Sequence, residues 1–114
     1  MFDEKLLIEL NKIIGESGAL LHLDSLYSSL ASLDYIDDDF LKVCYVARSV
    51  LLNHPFLNGN KRTAFFLLCA AAEILGHEIL IDEDSAENFV VSAVVNKWSP
   101  EKIKTEFLKS FMKN

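Results

Sequence analysis

The chain has 114 residues, 51% apolar, 25% charged and 11% aromatic, enough for one compact domain spanning 1–114 and too little for two. Lys plus Arg number 11 against 17 Asp plus Glu, and the formal charge of -6 repels phosphate backbones, which argues against a nucleic-acid binder with a broad basic face. Apolar residues run the whole length, so a disordered acidic tail is excluded.

Periodicity is helical almost throughout. Leu6, Leu7, Leu10, Ile13 and Ile14 form the stripe of a first helix, ended by Gly15 and Gly18. A second helix is predicted to open at Asp24 with Leu26, Leu30 and Leu33 inward. Asp37-Asp38-Asp39 then suits a helix N-terminus, where negative charge is favoured. Phe40, Val43, Cys44, Ala47, Val50 and Leu51 follow with the spacing of a buried face, and Pro55 stops that third helix. The fourth runs from Asn60 to about Leu75, with Gly76 as its stop. Being apolar nearly all round, it is expected to be the central helix.

His77 to Ile81 reads as a short extended stretch. Asp84 and Glu87 have capping-box spacing for a fifth helix carrying Phe89, Val90, Ala93 and Val94. Ser99-Pro100 marks the start of the last, with Ile103, Phe107 and Phe111 on one side. Only four Gly and two Pro occur, against an all-β reading with many tight turns. The expected architecture is all-α, a single bundle of about six helices.

No membrane or secretion signal is legible. The start Met1-Phe2-Asp3-Glu4 is acidic, and the longest apolar run, Ala64 to Ala72, falls far below the roughly 20 residues of a bilayer crossing. Cys44 and Cys69 make no disulfide framework and lie on apolar faces, which suits the core of a cytoplasmic protein. His22 and His77 lack metal-ligand spacing and read as surface or helix-end residues. Asp82-Glu83-Asp84 reads as a solvated helix start, and Trp98 as packed against the last helix.

One stretch does not look like packing. Asn53 to Thr63 (NHPFLNGNKRT) is a polar loop between two hydrophobic helices, and its end is a helix N-terminus with unpaired N–H groups. Gly59 allows backbone to approach a ligand closely, and Lys61 and Arg62 add two charges there. An anion, phosphate above all, would offset the cost of cations at the positive end of a helix dipole. Beside it stands His54, an imidazole able to take a proton from a hydroxyl, with Phe56 expected to plug into the core. A base next to a phosphate cradle points to phosphoryl or nucleotidyl transfer. The loop is no Walker motif, since His54 stands where the first glycine belongs.

His54-Pro55-Phe56-Leu57-Asn58-Gly59-Asn60-Lys61-Arg62-Thr63-Ala64 resembles the active-site motif of the Fic/Doc family, H-P-F-x-[DE]-G-N-G-R, and its N-K-R-T-A ending resembles the Doc, or death-on-curing, branch. Gly18 to Ser32 also resembles the segment upstream of that motif in Doc-like chains. The resemblance implies an all-α fold and ATP-dependent modification of a protein hydroxyl. His54 would be the general base, and Gly59, Asn60, Lys61 and Arg62 would hold the phosphates. Fic proteins mostly transfer AMP to Ser, Thr or Tyr, whereas Doc toxin transfers the terminal phosphate of ATP to elongation factor Tu. Lys61 stands where a glycine leaves room for the outer phosphates. A long cation there favours the reversed nucleotide and hence phosphate transfer.

Asn58 departs from the family, which has Asp or Glu there to help hold Mg²⁺. A neutral amide is a poorer ligand for so hard a cation, which leaves a non-catalytic nucleotide-binding or interaction module as a reading from another class. The S/T-x-x-x-E-[G/N] helix with which many Fic proteins block their own arginine is not found. The resemblance to Doc implies that restraint, if needed, would come from a separate antitoxin chain. Tyr35 and Ile36 are candidates for an edge that docks the target protein.

Overall fold

The structure, a computed structural model, describes residues 4–13, 15–18 and 32–112. Helix α1 spans Glu4–Ile13, and a 3-10 turn covers Ser32–Tyr35. Four helices follow: α2 (Asp39–Asn53), α3 (Asn60–Ile74), α4 (Glu83–Val95) and α5 (Pro100–Phe111). The fold is all-α, with five α-helices among the described residues where about six were expected. The helix expected from Asp24, with Leu26 and Leu30, lies outside the described residues, as do Ile14 and His22; Leu33 is buried within the 3-10 turn. His77 to Ile81 is extended to the degree that Ile79 bridges Met112 and the Leu80 N–H donates to the Phe111 carbonyl at 2.8 Å.

Helix α2 starts where the aspartate run allows it. Asp38 is extended, and its carboxylate accepts from the Leu41 N–H at 2.9 Å, satisfying one of the first-turn donors. The same carboxylate pairs with the Lys104 ammonium of α5. That ammonium, then the Leu41 N–H, holds the Asp38 carboxyl below its ordinary value of 3.8. A carboxyl lowered in the folded state stabilises fully above its unfolded value, and the contribution is lost as pH falls through the folded value. Asp38→Ala is therefore expected to cost about 1 kcal/mol near neutrality. In thermal unfolding at stepped pH, the gap to the native chain should close as pH drops below 3.8.

The core is built on α2 and α3, the pair of helices in most extensive contact. Phe40, Val43, Cys44, Val46, Ala47, Val50 and Leu51 of α2 and Ala64, Leu67, Leu68, Ala71 and Ala72 of α3 are all buried in it. α1 lies on α3 through Leu7 and Leu10, and α5 packs across α2. Phe65, Phe89, Phe107 and Phe111 from three helices meet as an aromatic cluster, with ring centroids 5.2–6.0 Å apart in tilted and edge-to-face pairs. Trp98 packs edge-on against Phe89 of α4 and lies under the Lys102 ammonium of α5.

Helix α3 touches α1, α2 and α4 but is not enclosed, since Phe66, Ile74 and Leu75 reach solvent. Two local expectations need correction. Ile13, the last residue of α1, is 65% exposed and leaves the stripe, while Leu10 and Asn11 of the same turn stay buried. The start of α4 is capped by Asp82, whose carboxylate accepts from both the N–H and the hydroxyl of Ser85, and not by the Asp84–Glu87 box. Cys44 and the half-buried Cys69 are free, and burial pushes both thiols up to about 12, as packing residues require. No described helix is long and apolar enough to cross a membrane.

Candidate active site

The loop between α2 and α3 takes its shape from three local devices. His54 ends α2 in the left-handed region (φ 48°, ψ 60°), with its N–H donating to the Val50 carbonyl at 3.2 Å, and Pro55 prevents the helix from continuing. Such backbone strain in a non-glycine residue clusters at functional sites. Phe56, 1% exposed, anchors the loop in the core as expected. The Asn60 side chain then closes a ring. Its Oδ1 accepts from the Phe56 N–H and its Nδ2 donates to the Phe56 carbonyl, each at 3.0 Å. The part of Asn60 left for a ligand is therefore its backbone N–H. Gly59 opens α3 at φ 75° and brings no side-chain cap to the first-turn amides.

These devices bring the predicted site residues together. His54, Asn58, Gly59, Asn60, Lys61 and Arg62 line one open cavity of about 590 Å³, with Phe56, Leu57 and Glu16. The side chains of His54, Asn58, Lys61 and Arg62 are exposed to solvent. Lys61 and Arg62 also border a second groove, also about 590 Å³, lined by apolar residues such as Phe65, Phe66, Ile81 and Val90 between α3 and α4.

Two residues of this site escaped the sequence reading. Glu16, in the turn after α1, places Oε2 at 3.5 Å from Arg62 Nη2. Its Cγ sits where a Cβ on Gly59 would come within 2.6 Å, so a side chain at position 59 would have to displace Glu16 as well as adopt a strained φ. A carboxylate thus occupies part of the arginine without the inhibitory-helix pattern being present. Asn11, 1% exposed on α1, donates to the Asn58 carbonyl and to the Thr63 hydroxyl, both at 3.0 Å. Its signal in the sequence was a polar residue one helical turn from Leu7 on the buried stripe.

Residues 15–72, from the Glu16 turn through α2 and most of α3, match the sequence profile of the Fic/DOC family. The chain belongs to the Fic/DOC family. No curated protein sequence matches it. Fic/DOC proteins are usually transferases acting on nucleotides, and they use ATP, typically with a divalent metal. In this Fic/DOC chain the cradle suits the polyphosphate: backbone amides at a helix start, an ammonium and a guanidinium. The donor set for magnesium is thin. Asn58 offers a neutral oxygen, Glu16 already faces Arg62, and no three His, Cys, Asp or Glu converge among the described residues. The described residues therefore make no magnesium cage of their own, and bound phosphates would have to supply most of the oxygens.

Proposed function

We propose that this chain is a Doc-like transferase that moves the terminal phosphate of ATP to a hydroxyl of a target protein, with elongation factor Tu as the first candidate. The observation that carries the reading is Lys61. Its side chain stands at the glycine position of the AMP-transferring motif and lines the same cavity as His54 and Arg62. An ammonium there binds phosphate oxygens and fills the room that an outward-running triphosphate needs.

In this reading the first-turn amides, Lys61 and Arg62 hold the phosphates and stabilise charge as it develops. His54 takes the acceptor's proton as the hydroxyl oxygen bonds to the γ-phosphorus. The bond from that phosphorus to its bridging oxygen breaks, and ADP leaves. A divalent ion, if carried in by ATP, would neutralise phosphate charge. Exposure of His54 gives a folded protein acceptor access to the base. A separate antitoxin chain that covers this open cavity completes the proposal.

ATP labelled at the γ or the α position, incubated with the chain and elongation factor Tu or cell extract, tests the reaction. The γ label is expected on protein, and Lys61→Gly is expected to shift labelling toward α. An α label from the native chain would make it an AMP transferase instead.

Asn58 favours one other reading, a nucleotide-binding module without turnover. Calorimetric ATP binding indifferent to Mg²⁺, with no labelling restored by Asn58→Asp, would select it. Glu16 gives a further measurable effect. An exposed ion pair is worth about 0.2–1 kcal/mol, so Glu16→Ala should tighten ATP binding by about 1.4-fold to fivefold in the same calorimeter. Unchanged or weaker binding would show that Glu16 does not compete for Arg62.

A further inference from the structure

We propose that Asn11 is a positioning residue that sets the span of the anion-binding turn, an inference that rests on reading that turn as the nucleotide site. Asn11 lies on α1, before the stretch that matches the family profile. Its side chain is nonetheless buried against the site, and its single Nδ2 reaches two acceptors at 3.0 Å, the Asn58 carbonyl and the Thr63 hydroxyl. Those two residues flank the Gly59–Arg62 segment on either side. One amide nitrogen therefore clips both ends of the cradle to α1.

The other half of the amide reaches the opposite way. Oδ1 accepts from the Gly18 N–H at 2.9 Å, and the Asn11 main-chain carbonyl accepts from the Glu16 N–H at 3.1 Å. The turn that holds Glu16 beside Arg62 and the turn that offers amides to the ligand thus share one anchor. The clip matters because Gly59 has the least conformational preference of any residue. Local sequence does not hold the 58–59 peptide in one orientation, and a buried external donor does. An amide is needed rather than a hydroxyl, since donating to both flanks while accepting from Gly18 takes two N–H groups and one oxygen.

Amide hydrogen exchange without nucleotide tests this on the full chain, comparing native protein with Asn11→Leu, which keeps approximate volume and removes the clip. The amides of Phe56 and Thr63, each hydrogen-bonded within the turn, are expected to exchange at least ~10-fold faster, while core amides of α2 and α5 such as Val46 and Phe107 stay within about twofold. ATP affinity should fall about tenfold in parallel. Unchanged exchange at Phe56 and Thr63, or equal acceleration throughout α2 and α5, would overturn the proposal, the latter making Asn11 a residue of general stability. Thr63→Val removes one arm at constant shape and serves if Asn11→Leu does not fold; Phe56 should then exchange about threefold faster, and no change would count against the clip. A native chain that binds no ATP would end the nucleotide reading, yet the exchange comparison would still decide whether Asn11 sets the turn.

Discussion

His54→Ala is expected to reduce protein labelling from ATP by about 10²–10⁴-fold, the usual worth of a positioned general base. Nucleotide affinity should change little, because in the proposed reading the cradle at Gly59–Arg62 would hold the phosphates without the imidazole. A control is built into the backbone. Position 54 sits at φ 48°, where asparagine is tolerated better than most residues, so His54→Asn keeps the turn while removing the base. Both variants should be inactive with calorimetric ATP binding retained. Full labelling by His54→Asn would remove the base role, and loss of binding in both would mean that the imidazole itself holds the nucleotide.

Phe56→Ala carries the other large effect, on stability. The ring is 1% exposed, and truncating a buried Phe costs about 3–5 kcal/mol. Typical domain stability is about 5–15 kcal/mol, so a urea titration should show the midpoint falling by about a fifth or more. Labelling should fall as well, since the Phe56 backbone is the partner of the Asn60 ring that shapes the start of α3. Phe56→Leu should recover most of the stability. A loss below ~1 kcal/mol for Phe56→Ala would show that the loop is held elsewhere, through Asn11 and Asn60 alone.

Much of the site was readable because it is contiguous. His54 through Arg62 form one uninterrupted segment, and the chemistry of a helix start with two cations beside an imidazole follows from neighbours in the chain. Pro55 and Phe56 were readable for the same reason, one as a helix stop and the other as an apolar residue in a polar loop. The role of Asn60 was only half legible. Its backbone was assigned to phosphate, while its side chain turns back four residues onto Phe56, a choice that depends on the loop's closure. At α4, Asp82 and Asp84 are both competent caps by residue type, and the actual first turn, beginning at Glu83, selects Asp82.

Residue order alone determined that this chain is helical, where most helices start and stop, and that one short segment gathers an imidazole, amides and two cations. Those properties depend on side chains within a turn or two of each other, where periodicity and capping act. Only the tertiary structure decided that Asn11 and Glu16 belong to the same site. Asn11 meets Asn58 and Thr63 across separations of 47 and 52 residues, and such meetings arise from α1 settling on α3. Hydrophobic packing, which is non-directional, brings those helices together, and the geometry of the packed pair then selects which polar side chains become partners.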